Sequence, residues 1–157
     1  MFRNNFVGLI LHALIGFITF ELFVFIDSLA INNKIQYGGK FYNYGAIFVF
    51  FFAIILYLLS GIILKKQKSK IESIFSVSSV SIIALSIWLF CFIITGGLGI
   101  GNDPNWIPFM FFTAYFFPIL STFSLDAPFS GIIFAIIPSL LMWLSMQIWQ
   151  RKSNVVV

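Results

Sequence analysis

Residues 44–64 read YGAIFVFFFAIILYLLSGIIL, an apolar run without a single charged side chain. A helix of this length extends about 30 Å, which is the thickness of the hydrocarbon core of a bilayer. The run is followed at residues 65–70 by KKQKSK, which holds four of the nine basic residues of the chain. A long apolar run beside a lysine cluster is typical of a membrane-spanning helix that enters a cytoplasmic loop.

The rest of the chain has the same character. Hydrophobic residues make up 61% of its 157 residues, charged residues only 9%, and the mean hydropathy is +1.05. Soluble domains carry roughly 25% charged residues, so a soluble domain is excluded. The other apolar segments lie at 6–30, 73–95, 106–123 and 128–149. The sequence predicts an all-α integral membrane protein, a single domain over 1–157 that forms a compact bundle of about five transmembrane helices.

The positions of the basic residues distinguish two possible membrane topologies. Five crossings with a cytoplasmic N-terminus put five basic residues inside and four outside. If segment 106–123 is instead re-entrant or interfacial, seven lie inside and two outside, which fits the positive-inside rule better. The length and apolarity of that segment favour five crossings, which we expect, with four spans plus one re-entrant segment as the alternative. Both place the N-terminus and the lysine loop, residues 65–70, in the cytoplasm.

Glu21 is the most notable charged residue, because it lies about 7–8 Å inside its apolar run at 1.5 Å per residue. A carboxylate in lipid is costly, so it should face the bundle interior or a water-filled cavity, or be protonated. The functional hypothesis is a proton or cation site, and the structural one is a carboxyl satisfied near the interface by loop backbone, Lys34 or Lys40. Asp27 lies about 120° around the helix from Glu21, so it is predicted to mark the interface instead of forming an acid pair.

His12 is the only histidine. With Gly8, Gly16 and Thr19 it falls within about 80° of arc, a stripe of small residues with a polar centre that suits close helix approach. We predict a hydrogen bond across a helix interface, and a proton-relay or ligand role is the alternative. His12 lies about 180° from Glu21 around the same helix, so the two side chains cannot meet directly.

Polar and proline residues mark the later segments. Ser76, Ser79 and Ser86 fall within about 80° on the predicted third helix, either as a stripe lining a solute path or as packing contacts between helices. Pro118 and Pro138 lie inside the last two segments, where each is a candidate helix kink. The joint between those segments, residues 124–128, ends in Asp-Ala-Pro, and Asp126 is predicted to cap the last helix.

Chemical motifs are missing from the sequence. A lone Cys91 excludes an intramolecular disulfide and a cysteine zinc site. The glycine-rich stretch 96–101 has no preceding strand and no following Lys-Ser/Thr, so phosphate-loop patterns fail. We therefore predict no cofactor, no metal and no enzymatic activity. The basic residues fit a membrane topology better than a nucleic-acid surface, and the expected partners are the lipid bilayer and either a second copy or another membrane protein.

Two function classes remain. The first is a non-enzymatic protein acting through helix–helix contacts, such as an accessory or sensor subunit or an immunity-type protein. The alternative is a small oligomeric transporter or channel for protons or a small solute, suggested by Glu21, His12, the serines and the prolines. A composition rich in Phe, Ile, Lys, Asn and Ser favours the cell membrane of a bacterium as the location.

Overall fold

The fold is known from a computed structural model that describes residues 1–33, 40–65, 67–97, 99–100, 103–123 and 128–152. Within these ranges the chain is all-helical, with 85% helix and no strand. The predictions that concern Lys34, Lys66 and Asp126 lie outside the described residues.

Three helices are long and apolar enough to cross a membrane, at residues 2–32, 40–62 and 130–149. They cover three of the predicted apolar segments to within a few residues at each end. The α-helices of the described residues are α1 Phe2–Asn32, α2 Lys40–Leu59, α3 Lys70–Phe75, α4 Ser79–Ile94, α5 Ile107–Phe112, α6 Phe117–Phe123 and α7 Ser130–Lys152. Short 3-10 turns lie at Ser60–Ile62, Pro104–Trp106 and Ala114–Phe116.

The predicted third segment, 73–95, is two helices, so the prediction of one continuous helix is wrong. Its serines explain the break, because hydroxyl groups compete with the helical backbone for carbonyl oxygens. The hydroxyls of Ser76 and Ser78 each donate to a carbonyl three residues back, at 2.9 and 3.1 Å. The new helix begins where the Asn5 side chain accepts a hydrogen bond from the Ser79 N–H at 3.0 Å. The resulting α4 has 16 residues.

The predicted fourth segment is also not one helix. Residues 104–123, here called the broken segment, contain α5, a 3-10 turn and α6. Pro118 lies in the first turn of α6, so its prediction as a kink inside a long helix is wrong. Proline lacks an N–H, and its ring clashes with the carbonyl four residues back, here Ala114, so a helix cannot pass through unchanged. Just before the turn, the Thr113 hydroxyl donates to the Phe109 carbonyl at 2.5 Å and ends α5.

The four longest helices, α1, α2, α4 and α7, alternate in direction. The starts of α1 and α4 meet where Ser79 Oγ donates to the Asn5 carbonyl at 3.1 Å. The ends of α2 and α7 meet at the same end of the bundle, where the Gly61 N–H donates to Ser145 Oγ at 2.6 Å. Gly8, near the start of α1, packs beside Met142 in the second half of α7. We call this end of the bundle the lysine-loop end, since residues 65 and 67–70 lie there.

The broken segment leaves and returns at the opposite end of the bundle. Trp88, in the second half of α4, donates to the Pro128 carbonyl just before α7, at 2.7 Å. Ile100, which follows α4, packs against Gly131 in the first turn of α7. Because α4 ends and α7 begins at one end, the broken segment between them dips into the bundle and comes back without passing through it.

The bundle is apolar inside and outside. Buried aromatic side chains of the broken segment fill the core, with Trp106, Tyr115 and Phe116 each at most 1% exposed. On the outer faces of α1 and α2, large side chains such as Phe25 at 58% and Phe48 at 57% are mostly exposed. Soluble monomers rarely expose apolar patches of more than a few hundred Å², so this exterior is suited to lipid rather than water.

Candidate functional site

His12 is the polar centre of the bundle interior. It is 3% exposed, and both ring nitrogens have partners at short distance. Nε2 lies 2.7 Å from the Phe112 carbonyl oxygen, and Nδ1 lies 2.6 Å from the Tyr57 hydroxyl. A carbonyl oxygen can only accept, so Nε2 carries the proton, and Nδ1 of the neutral ring accepts from Tyr57. The predicted stripe of Gly8, His12, Gly16 and Thr19 is buried along its whole length.

This pair of hydrogen bonds ties α1 to two other elements. The Phe112 carbonyl belongs to the last residue of α5, so it has no helical partner of its own. His12 supplies that partner, and its ring packs on the Phe112 ring at a centroid distance of 4.6 Å. His12 therefore fixes the turn of the broken segment beside itself in the interior of the bundle.

Tyr115 performs a similar task for α7. Pro138 lies inside α7 and lacks the N–H that would bond the Phe134 carbonyl four residues earlier. The hydroxyl of Tyr115 donates to that same carbonyl. The Tyr115 ring also lies 5.5 Å from Tyr57 and 5.9 Å from His12, centroid to centroid. The carbonyl freed by Pro138 is thus satisfied by a neighbouring element.

A cleft of about 590 Å³ opens between α1 and the broken segment. Its polar lining groups are His12 at the bottom and Glu21 at the rim, on opposite edges of the α1 face that lines it. Gly16 lies between them, and a Cβ added there would have no atom within 4 Å. The remaining lining residues are Leu9, Ala13, Phe17, Phe20, Ile87, Pro108, Phe111, Phe112 and Ala114. A smaller cavity of about 160 Å³ adjoins it and is lined by Phe20, Phe111, Ala114 and two further residues of α5.

The two acidic candidates of α1 differ in position. Glu21 is exposed and belongs to the cleft lining. Asp27 is half-buried and does not belong to it. The prediction that the two carboxyls do not share a face agrees with this placement. His12 and Glu21 do not touch, yet the cleft connects them.

The predicted serine stripe is not one surface. Ser76 is buried at the break between α3 and α4, where Asn4 Nδ2 approaches its hydroxyl at 3.4 Å. Ser79 begins α4 and bonds the Asn5 backbone, whereas Ser86 is exposed and donates to the Ile82 carbonyl of its own helix at 2.8 Å. Because the helix is interrupted between the first two serines, the assumed common arc of 80° does not exist. None of the three lines the cleft.

Asn4 is a buried polar residue that the sequence analysis missed. It is 1% exposed, its Oδ1 accepts from the Lys65 N–H at 3.0 Å, and its Nδ2 donates to the Lys65 carbonyl at 2.7 Å. One side chain thus fixes the backbone where the lysine loop begins. No spacing rule identifies it, because its partner is 61 residues away.

Two serines of α7 have the same kind of role. Ser139 donates to the Val77 carbonyl at 2.8 Å and accepts from the Ser81 N–H at 3.1 Å, bridging the break before α4. Ser145 donates to the Leu58 carbonyl at 2.5 Å and also accepts from Gly61. A hydroxyl inside an apolar helix must find a partner, and this general requirement is the only signal that the sequence offers for either residue.

Metal chemistry finds no support in the described part of the chain, where no three His, Cys, Asp or Glu side chains come together. Comparison of the chain with models of protein families, with curated proteins and with solved structures finds no match. The function must therefore be argued from the cleft and the residues around it.

Proposed function

We propose that the protein is a multi-pass integral membrane protein in which α1, α2, α4 and α7 cross the bilayer and the broken segment is re-entrant. The apolar exterior of the bundle supports membrane insertion. The burial of the broken segment supports re-entrance, because irregular backbone at membrane depth is tolerated where protein shields it or where it lines a cavity. This topology replaces the expected five crossings by the alternative of four plus one re-entrant segment.

Charge distribution supports the same topology. With a cytoplasmic N-terminus, the cytoplasmic side receives Arg3, the four lysines of residues 65–70, Arg151 and Lys152 by sequence position. Seven of nine basic residues are then inside, as the positive-inside rule prefers.

Cysteine labelling tests this topology. In a Cys91→Ala background, Ser69→Cys in the lysine loop should resist a membrane-impermeant maleimide applied to intact cells. Lys40→Cys, at the start of α2 on the opposite side, should react, and both should react after the cells are permeabilised. Rapid labelling of Ser69→Cys in intact cells would contradict the orientation, and equal labelling at both positions would contradict membrane crossing by α2.

Within this topology, we propose that the protein is a small transporter or channel for protons or a small solute, without enzymatic activity. The observation that carries the proposal is the cleft between α1 and the broken segment, which runs from Glu21 at its rim to His12 at its floor. Broken helices at membrane depth commonly form solute and ion sites, because their ends leave backbone groups without helical partners. An ionisable side chain within an apolar span marks such a pathway.

Vesicle flux measurements test the cleft as the pathway. Purified protein in vesicles containing a trapped pH dye should speed acidification of the lumen after an acid pulse. Gly16→Leu places a side chain in the open space of the cleft and should reduce the protein-dependent rate at least fivefold. Leu14→Ala, on the exposed outer face of α1, should leave it unchanged. Acidification no faster than in protein-free vesicles would contradict a proton path, and an unaffected Gly16→Leu rate would contradict the cleft.

The second candidate is a protein that acts through helix contacts with a membrane partner. It is favoured by a row of exposed large side chains along one face of α2, namely Tyr44, Phe48, Phe51, Ile55 and Leu59, each at least 45% exposed. Mild crosslinking followed by purification separates the two candidates, because a helix-contact protein should be recovered with one stable partner protein, whereas an oligomeric transporter should be recovered only with further copies of itself.

A further inference from the structure

The cleft has an uneven distribution of charge. Glu21 contributes a carboxylate, and no Lys or Arg is among the residues described as lining it. His12 contributes no free charge or donor, since Tyr57 and Phe112 occupy both of its nitrogens. The ionisable group that the cleft offers to a ligand is therefore an acid.

Aromatic side chains line the same cleft as this acid. Phe17 and Phe20 come from α1, and Phe111 and Phe112 come from α5. The face of a phenyl ring attracts cations, most strongly where water is excluded, and aromatic cages are a common way of binding quaternary ammonium groups. The same rings offer apolar surface to the rest of a ligand.

Size decides between an inorganic ion and an organic molecule. The volume of about 590 Å³ falls within the range of about 300–1,000 Å³ that is typical of sites for drug-sized ligands. Single metal ions are held by several oxygen ligands at once, and Glu21 is the only carboxylate among the described residues of the lining. The cleft is too large and too poor in oxygen ligands for a bare metal ion.

We propose that the cleft between α1 and α5 binds a small hydrophobic organic cation, with Glu21 as its counter-ion and the four phenylalanines as its apolar walls. The ligand class is an ammonium, phosphonium or similar cation on an apolar body that reaches the cleft from the membrane. This inference rests on the proposed function, because it names the solute class for the same cleft. A lipid acyl chain would also fit an apolar cleft, but it would gain nothing from the carboxylate.

Two ions of the same shape and opposite charge test the proposal. Tetraphenylphosphonium and tetraphenylborate are titrated into the full-length protein in a nonionic detergent, and binding is measured by equilibrium dialysis. The wild type should bind the cation at least tenfold more tightly than the anion. Glu21→Gln should weaken cation binding at least tenfold, whereas Asp27→Asn, an equal charge change outside the cleft, should leave it within twofold. Gly16→Leu should weaken binding of the cation by filling the cleft.

The outcomes separate this inference from the proposed function. Equal binding of cation and anion, or an unchanged affinity in Glu21→Gln, would overturn the inference and point to an apolar occupant such as an acyl chain. If neither ion binds while Gly16→Leu still reduces proton flux, the inference fails and the pathway stands. If Asp27→Asn weakens binding as much as Glu21→Gln does, general surface charge explains the binding and the inference falls. Size-exclusion profiles identical to the wild type establish that each variant is folded.

Discussion

Replacing His12 with leucine should cause one of the largest losses of stability that a single substitution can produce in this protein. Leucine fills a similar volume but leaves the Tyr57 hydroxyl and the Phe112 carbonyl without the partners that lie at 2.6 and 2.7 Å. A buried polar group without a partner costs about 1–3 kcal/mol, so the two together predict a loss of about 2–6 kcal/mol. The free energy of unfolding can be measured by titrating sodium dodecyl sulfate into mixed micelles.

Two further variants make this result specific. His12→Gln retains an amide donor for the Phe112 carbonyl and should fall between His12→Leu and the wild type. Leu14→Ala, two residues along on the exposed outer face, should have a small effect because its side chain is 51% exposed. If His12→Leu stays within about 0.5 kcal/mol of the wild type, as surface substitutions do, His12 does not hold the turn of the broken segment.

The length and hydropathy of the apolar runs are sufficient to predict three of the helices. Segments 6–30, 44–64 and 128–149 have apolar runs long enough for a bilayer, and the helical stretches 2–32, 40–62 and 130–149 match them to within a few residues. Their agreement has a simple physical basis, since a run of about 20 apolar residues has few ways to satisfy its backbone other than a helix.

The structure of the broken segment cannot be predicted from length and hydropathy alone. Residues 106–123 are as apolar as a spanning helix, so hydropathy cannot distinguish a crossing from a re-entrant turn. The turn depends on Pro118, which removes a backbone hydrogen bond and so weakens a continuous helix, and on His12, which satisfies the Phe112 carbonyl from 100 residues away. The proline can be read from the sequence. The contact between His12 and the Phe112 carbonyl cannot, because it exists only in the folded protein. The distribution of basic residues is a separate signal, and it favours the proposed even number of crossings.

The candidate site was predicted only in part. Glu21 and His12 stand out because ionisable groups are rare in apolar runs, and both line the cleft. The two tyrosines beside His12, Tyr57 and Tyr115, could not be identified, since tyrosines in apolar segments are also expected as membrane-edge anchors. The serine stripe failed because helical periodicity was applied across a break. Periodicity arguments hold only within one continuous helix, and the serines themselves interrupt it.

Two buried glycines should respond in opposite ways to the same substitution, and this contrast gives the second large effect. A Cβ added to Gly61 would lie 2.5 Å from the backbone carbonyl carbon of Ser145 and 2.6 Å from its oxygen, so α2 and α7 would have to separate. The separation would also break the hydrogen bond from the Gly61 N–H to Ser145 Oγ. Overpacking alone costs about 1–3 kcal/mol, and the lost hydrogen bond adds to this cost. Gly61→Ala should therefore sharply lower both the unfolding free energy and the yield of monodisperse protein.

Gly16→Ala is the matched control, because Gly16 is buried in α1 and a Cβ there would meet no atom within 4 Å. Alanine favours a helix over glycine by about 0.8–1.0 kcal/mol, so this variant should be as stable as the wild type or more stable. Both proteins are unfolded with sodium dodecyl sulfate under the same conditions. Equal destabilisation of the two variants would mean that the cleft is closed at Gly16, whereas a harmless Gly61→Ala would mean that α2 and α7 do not approach each other there. A wide difference between them supports both the close packing of α2 on α7 and the open space between α1 and the broken segment.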